Sequence, residues 1–422
     1  ELRLHGGLKG GLEKKPYSIL QLIIQKVVDS GITLTRTSNS WNDYKVFGEE
    51  VEGLRQLGMD TVVNLIYSVS PRHTDEYYAQ KAREAAALKP YSVCFKDVGG
   101  LLTPERTRAL VPIVLENIGD TPVEFHAHCN NGLAPLNYLE AIKLGMTTIH
   151  TSVPPLANAS AQPSVFNMAR NVRAMGHEVS VDEEVLKPVR DHFNFVAKRD
   201  GLPIGKPTAF DQSIYNHQVP GGMISNFVHQ LRLVGMEDKL PAALEEAARV
   251  RAEWGYPIMV TPLSQFVGTQ AAFNVILGER YKQVSDQSIQ YALGIWGQEG
   301  AELMDPDVKD KILSRPRAKA WTKWEQPEPS LAELRSQLGG PSISDEELVL
   351  RVYAGVDEVK AMMEAGRPRE YLSASQPLVR LINELTKQTE YTQVYIRKPG
   401  FSLALGRQAD GDENSQNGTA SS

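Results

Sequence analysis

Short apolar runs alternate with amphipathic stretches along the N-terminal part of the chain. Most runs are rich in β-branched or aromatic residues, as buried strands are, and they occupy 2–4, 32–37, 61–66, 92–97, 123–128 and 147–151. Between them, apolar residues recur at helical spacing over 17–30, 43–57, 73–88, 103–116, 136–144 and 162–175. This alternation of about six strands with helices predicts a parallel α/β domain.

The number of strands favours one α/β architecture over another. A TIM (β/α)₈ barrel has eight strands, and the chain opens on Glu1 without an initiator methionine, as though already inside a strand. We therefore expect a TIM barrel that is N-terminally incomplete in this chain and holds strands 3–8. A doubly wound sheet is the alternative. It is less favoured because the candidate site residues follow successive strand ends rather than one switch point.

Helical stretches replace the strand pattern in the C-terminal half. Helices are predicted over 182–200, 223–233, 240–254 and 346–365, with strong helix formers throughout 243–250, whereas 327–340 has the composition of a linker or surface loop. We expect a barrel over 1–180, a mainly helical domain over 181–405 and a disordered polar tail over 406–422.

Composition and charge narrow the class of protein. The chain has 422 residues and a net charge of −6 without a basic block, which argues against nucleic acid as a partner. Its two cysteines, Cys94 and Cys129, both lie on predicted strands, which argues against a disulfide framework and for a reducing compartment. Neither a membrane span nor a signal peptide is evident. We therefore expect a cytoplasmic protein.

Two histidines one residue apart, His126 and His128, end the fifth run. On a strand, period 2 places both imidazoles on one face, where they suit a single transition metal. Lys96 ends the preceding run, so a βαβ unit brings it to the same rim, where barrels build active sites. A lone His pair is often just a polar strand end, and a lone lysine is usually solvated. The two features at the spacing of one βαβ unit indicate a site.

Five motifs in family order resemble the biotin-dependent carboxyltransferases, the family of the pyruvate carboxylase B chain, oxaloacetate decarboxylase and transcarboxylase. They are KDVGGLLTP at 96–104, HAH at 126–128, PPLANASAQP at 154–163, YNHQVPGGMISN at 215–226 and VTPLSQFVGTQ at 260–270. The motifs span about 90–270, and weaker similarity extends to about 400.

The resemblance implies a TIM barrel with a helical C-terminal funnel and a divalent metal, which is zinc, manganese or cobalt. His126 and His128 would hold this metal together with Lys96, carbamylated so that a cationic amine becomes an anionic oxygen ligand. The metal would polarise the ketone of pyruvate or oxaloacetate. A carboxyl group would then move between this small 2-oxo acid and carboxybiotin, in a direction that the resemblance leaves open.

The resemblance also assigns roles around the metal. Ser160 takes the place of a threonine that moves a proton between substrate and biotin, and Ala161 replaces a neighbouring hydroxyl residue. Arg3 fits an arginine that holds the substrate carboxylate, while Gln162 and Thr269 are further pocket candidates. The family's T-L-R-D motif, which supplies a metal-ligand aspartate, is not present in this chain. Cys129 stands where aspartate is common; strand alternation points it away from the imidazoles, so we interpret it as a core residue.

The chain contains no Ala-Met-Lys-Met biotinylation motif. Biotin would therefore be carried on a separate protein, which implies a biotinyl carrier protein and a biotin carboxylase subunit as partners, in a homodimer or larger complex. Two alternatives stay open. One is a biotin-independent, metal-dependent aldolase or lyase of the HMGL-like superfamily; the other is a catalytically silent carboxylase subunit.

Overall fold

The computed structural model describes residues 2–8, 14–233, 235–366, 385, 393–398 and 401–406. Its strands are β1 (Leu4–His5), β2 (Leu34–Thr37), β3 (Asp60–Ile66), β4 (Ser92–Asp97), β5 (Val123–Ala127), β6 (Thr148–Ile149), β7 (Gln393–Lys398) and β8 (Phe401–Gly406).

The helices of the N-terminal half are α1 (Tyr17–Asp29), α2 (Tyr44–Gln56), α3 (Asp75–Ala87), α4 (Pro104–Ile118), α5 (Ala134–Lys143), α6 (Val165–Ala174) and α7 (Glu183–Asp200). Those that follow are α8 (Ile214–His217), α9 (Gly221–Leu233), a 3₁₀ turn (Glu237–Lys239), α10 (Leu240–Glu253), α11 (Leu263–Ile276), α12 (Asp286–Ala292), α13 (Gln298–Glu302), α14 (Pro306–Leu313), α15 (Pro316–Thr322), α16 (Leu331–Leu338), α17 (Asp345–Ala354) and α18 (Val356–Glu364).

Strands β1 to β6 form one parallel sheet in the spatial order 1-2-3-4-5-6. A doubly wound sheet reverses its strand order at a switch point, whereas a barrel adds each new strand to the same side. The sequential order therefore rules out the doubly wound alternative and confirms the prediction of a partial TIM barrel followed by a helical region.

The strands are apolar along their whole length because both faces of the sheet are covered. Phe95 and Phe125 point outward, and Tyr78 of α3 and Tyr138 of α5 pack against them in the largest core cluster. On the opposite face Leu34, Val62 and Cys94 meet inside the sheet's curve. Cys129 is buried in the outer cluster, as expected of a core residue.

Helices α8 to α18 follow the sheet in the chain. Their main cluster is built around Trp254, which stacks on Tyr291 with ring centroids 4.7 Å apart. A second cluster joins α1 to α16 and α17 through Ile19, Leu334 and Leu348. No helix within the described ranges is long and apolar enough to span a bilayer.

Two sequence expectations in this region were wrong. The segment 327–340 is not a linker, because Ser330 and Glu333 form a capping box that starts α16. The single helix expected over 346–365 is two helices, α17 and α18, separated at Gly355, which adopts a φ of 93°. The β7–β8 hairpin was not anticipated, and the predicted tail lies outside the described residues except for Gly406.

Candidate active site

Lys96 and the two histidines converge at the carboxyl ends of β4 and β5. Lys96 pairs in register with His126 across the two strands, and His128 follows immediately after β5. The imidazole centroids of His126 and His128 are 5.0 Å apart. The structure therefore brings these three predicted site residues together at one rim.

The loop after β4 fixes the position of Lys96. The neighbouring Asp97 is fully buried and accepts hydrogen bonds from the backbone N–H groups of Leu101 (3.0 Å) and Leu102 (2.8 Å). Burial raises the pKa of Asp97 to about 6 in spite of these bonds. Thr103 then caps α4 by accepting from the Arg106 N–H. The strand end that carries Lys96 is thus tied to the start of the next helix.

A cavity of about 1290 Å³ lies above this rim. The sheet contributes Lys96, His126 and His128 to its lining, and the loop after β6 contributes Ser160 and Gln162. The helical region closes the opposite side; its lining residues include Met223, Pro262, Gln265 and Trp296. The cavity is thus large enough for a small substrate together with a second reactant.

Burial keeps the two imidazoles at the rim uncharged and makes the lysine easier to deprotonate. It lowers the pKa of His128 to about 4 and places the pKa of His126 well below the usual value for histidine. Burial, and next the positive charge of Arg36, lowers the pKa of Lys96 to about 8. Neutral imidazoles are the form of histidine that binds metals. The neutral amine of lysine is the form that reacts with CO₂, and the lowered pKa lets Lys96 reach this form more readily.

Hydrogen bonds determine which imidazole nitrogens face the cavity. A backbone carbonyl only accepts, so His128 Nδ1 donates to the Ser160 oxygen at 2.5 Å and leaves its Nε2 lone pair free. Gln162 Oε1 accepts from Ser152 Oγ at 3.0 Å, which directs the Gln162 amide nitrogen to His126 Nε2 at 3.2 Å. Both histidines therefore present an unprotonated Nε2. This donor set fits a divalent transition metal.

Two predicted pocket residues lie outside the cavity. Arg3 donates to both carboxylate oxygens of Glu124, at 2.7 and 2.8 Å, and Thr269 is not part of the cavity lining. The same helix as Thr269, α11, lines the cavity through Ser264 and Gln265 instead. The other two predicted residues, Ser160 and Gln162, do lie in the lining.

Sequence reasoning missed other polar residues at this rim. His5 and Arg36 are register partners across β1 and β2, and both line the cavity. His150 follows β6, with its Nδ1 2.8 Å from Arg36 Nη1. The rule that singled out Lys96, a polar side chain at the end of an apolar run, also applies to Arg36 and His150. It could have found both.

A second group of ligand-type atoms lies below the rim. One ligand atom each from Cys94, Glu124 and His150 falls within 4.8 Å of the others, and within the described ranges this is the only such group of three among histidine, cysteine and acidic residues. Burial would raise the pKa of Glu124, but bonds from His150, Ser92 and Arg3 outweigh it and hold the pKa at about 2. Glu124 is therefore a carboxylate at neutral pH.

Two family models match the chain in succession. An HMGL-like model matches residues 35–192, and a conserved carboxylase domain model matches 214–375. The fold is similar to the carboxyl transferase domain of Rhizobium etli pyruvate carboxylase, with a TM-score of 0.77 at 18% identity over 96% of this chain and 70% of that one. The fold and the rim thus define an HMGL-like barrel protein.

The curated relatives narrow this class. The B chain of Methanocaldococcus jannaschii pyruvate carboxylase is 32% identical over 316 residues, which are 74% of this chain and 55% of that protein. The methylmalonyl-CoA carboxyltransferase 5S subunit of Propionibacterium freudenreichii subsp. shermanii is 29% identical over 75% of this chain and 64% of that protein. The match thus spans 55% and 64% of the lengths of these two relatives. It belongs to the biotin-dependent carboxyltransferase family.

Proposed function

We propose that this chain moves a carboxyl group between carboxybiotin and a small 2-oxo acid, either pyruvate or oxaloacetate. The observation that carries the proposal is the convergence of Lys96, His126 and His128 on one cavity that also exposes Ser160 and Gln162. The names of the relatives support it, since they include one chain of a pyruvate carboxylase and one of a carboxyltransferase.

His126 and His128 would hold a divalent metal through their unprotonated Nε2 atoms, together with a carbamylated Lys96. The metal, which we expect to be zinc, manganese or cobalt, supplies Lewis-acid polarisation of a ketone oxygen. The carbamate forms when the Lys96 amine adds to the carbon of CO₂ and releases one proton. This reaction replaces a cation that would repel the metal with an anionic oxygen that can bind it.

Ser160 and Arg36 are the residues that we assign to the substrates. The Ser160 hydroxyl would pass a proton between the methyl carbon of the 2-oxo acid and the ureido nitrogen of biotin, a role that needs only a rotatable O–H in the cavity. The substrate carboxylate needs a cation. Arg36 lines the cavity, whereas the Arg3 guanidinium is bound to Glu124, so we assign the carboxylate to Arg36.

Biotin would arrive on another polypeptide. Two relatives are named as single subunits of larger carboxylases, one of pyruvate carboxylase and one, a large subunit, of 2-oxoglutarate carboxylase. These names support a multi-subunit enzyme with a biotinyl carrier protein and a biotin carboxylase subunit. A homodimer or larger complex is part of the same proposal.

Biotin dependence of oxaloacetate decarboxylation tests the function. The chain, loaded with zinc, manganese or cobalt, is incubated with oxaloacetate with and without free biotin, and pyruvate release is followed. We expect biotin to stimulate release in the native chain and not in a His126→Ala/His128→Ala variant. Metal-dependent release of pyruvate at the same rate with and without biotin would favour the lyase alternative instead of the proposal. A chain that neither keeps metal nor releases pyruvate would be a silent subunit.

A further inference from the structure

We infer that Glu124 and His150 are positioning residues that fix the tautomer of His126, so that His126 Nε2 is unprotonated and able to bind the metal ion. The inference rests on the proposed function, because it assumes that His126 is a metal ligand. It concerns residues that lie behind the rim and do not belong to the cavity lining.

The buried carboxylate of Glu124 sets the direction of the hydrogen bonds that lead to His126. Glu124 Oε2 lies 2.8 Å from His150 Nε2, and its Oε1 accepts from Ser92 Oγ at 2.8 Å. A carboxylate accepts hydrogen bonds and does not donate, so the proton of this contact belongs to His150 Nε2. In a neutral imidazole the other nitrogen is then bare. Glu124 thereby makes His150 Nδ1 an acceptor.

The contact between His150 and His126 then determines which nitrogen of His126, the proposed metal ligand, carries the proton. His150 Nδ1 lies 3.0 Å from His126 Nδ1, and one of these two nitrogens must carry a proton for them to bond. Since His150 Nδ1 is bare, His126 Nδ1 is the donor. His126 Nε2 then holds the lone pair that points to the cavity. The Gln162 amide, which donates to that same atom at 3.2 Å, gives the same assignment independently from the other side of the ring.

The contacts of Arg36 also support the assignment of His150 Nδ1 as an acceptor. Its Nη1 lies 2.8 Å from His150 Nδ1 and 3.2 Å from His126 Nδ1. A guanidinium only donates, so the shorter contact requires an unprotonated His150 Nδ1. Arg36 and His126 share this acceptor. The longer contact would require the opposite tautomer of His126, in which Nε2 is blocked. Glu124 and His150 therefore decide between two competing arrangements.

The backbone holds His150 at the position that this function requires. Its N–H donates to the Phe125 carbonyl at 2.9 Å, and its own carbonyl accepts from the Tyr138 hydroxyl at 2.6 Å. The first bond ties the residue after β6 to β5, the strand that carries His126, and the second ties it to α5. Partners of this kind behind a metal-bound histidine typically change metal affinity by about 10–100-fold when they are removed.

A competing interpretation is that Cys94, Glu124 and His150 themselves bind a metal. Their mutual distances allow it. However, both oxygens of Glu124 already accept bonds from Arg3, Ser92 and His150, and the Arg3 guanidinium within 3 Å would repel a cation. The contacts present therefore favour a positioning role. The two interpretations differ in the part played by Cys94.

Metal affinity of matched variants separates them. The dissociation constant for Co²⁺ is measured by competition with a chromophoric chelator for the native chain and for Glu124→Gln, His150→Phe and Cys94→Ser. We expect affinity to fall about 10–100-fold in the first two variants and to stay within about twofold in the third. Equal affinity in all four proteins would overturn the inference and leave the proposed function standing. A similar loss of Co²⁺ affinity in Cys94→Ser would place the metal among Cys94, Glu124 and His150.

A measurement on the native chain covers the case in which a variant does not fold. Proton–nitrogen NMR of ¹⁵N-labelled histidine distinguishes the two neutral tautomers in the metal-free protein. We expect His126 to carry its proton on Nδ1 and His150 on Nε2. A His126 protonated on Nε2 would overturn the inference. Failure of the native chain to bind Co²⁺ at all would instead count against the proposed function itself.

Discussion

Lys96 and His126 occupy paired positions on the neighbouring parallel strands β4 and β5. Parallel pairing fixes this relationship, because a shift of one residue would turn either side chain to the opposite face of the sheet. The lysine amine and the imidazole are therefore held at the same height of the barrel rim. Their shared position, and the packing that maintains it, lead to specific expectations for variants of the chain.

Lys96→Arg keeps a positive charge but removes the amine that can react with CO₂. We expect the native chain to show a carbamate signal by ¹³C NMR in ¹³C-labelled bicarbonate, and the variant to lack it. Metal affinity should fall as well, because an anionic ligand is replaced by a cation. An unchanged ¹³C signal in the variant would mean that another amine carries the carbamate.

Ser160→Ala removes the hydroxyl that we assign to proton transfer. Carboxyl transfer should fall by about 10²–10⁴-fold, the usual contribution of a positioned acid–base group. Ser160→Thr keeps the hydroxyl and is the matched control, which should retain most of the activity. Metal content should be unchanged in both, because His128 bonds to the backbone carbonyl of residue 160 rather than to its side chain. Full activity of the alanine variant would contradict this role.

Tyr138→Phe tests how the outer core supports the rim. The Tyr138 hydroxyl accepts from the Ala127 N–H at 2.9 Å and donates to the His150 carbonyl at 2.6 Å. Its loss leaves two polar groups without this partner, and we expect the free energy of unfolding to fall by about 1–3 kcal/mol. Urea denaturation measures the loss. Tyr91→Phe, at an exposed tyrosine, should change stability by less than about 0.5 kcal/mol.

His73 predicts how stability depends on pH. Burial, and next the charges of Arg251 and Arg72, lowers the pKa of His73 from 6.5 to about 3. The unfolded chain therefore binds the extra proton first, so His73 makes the protein less stable as pH falls from about 6.5 towards 3. The slope for one proton is about 1.4 kcal/mol per pH unit.

In the variant His73→Gln, the free energy of unfolding should lose the contribution of this one proton to its dependence on pH. Unfolding is measured between about pH 3 and pH 6.5, with a chelator present to keep the protein metal-free. His192→Gln, on an exposed face of α7, is the control and should keep the native slope. Identical slopes for the native chain and both variants would show that His73 is protonated equally in the folded and unfolded states.

The sequence predicted the sheet well and the helical region less completely. Strands buried on both faces appear as continuous apolar runs, which is why β2 to β5 were found with nearly correct ends. Helix α11 escaped because residues on several of its faces are buried, so its apolar residues show no helical period. Ser330 and Glu333 form a capping box that marks the start of α16, whereas the composition of 327–340 alone indicates a loop.

The sequence likewise predicted some residues of the site and not others. The spacing of one βαβ unit was enough to join Lys96 to the His pair. The choice of Arg36 over Arg3 for the proposed substrate contact required the register of β1 on β2, which places His5 beside Arg36 at the rim. Arg3 lies two residues earlier on the same face, or about 6.6 Å deeper, where it meets Glu124. Such a shift depends on strand pairing, which the sequence of a short edge strand does not specify.

The central claim is that one divalent metal ion binds between Lys96, His126 and His128. Anomalous diffraction from crystals grown with zinc, recorded at the zinc absorption edge, tests it most directly. We expect a single strong peak at about 2.0–2.1 Å from the Nε2 atoms of both histidines. A peak among Cys94, Glu124 and His150, or no ordered peak at the rim, would contradict it.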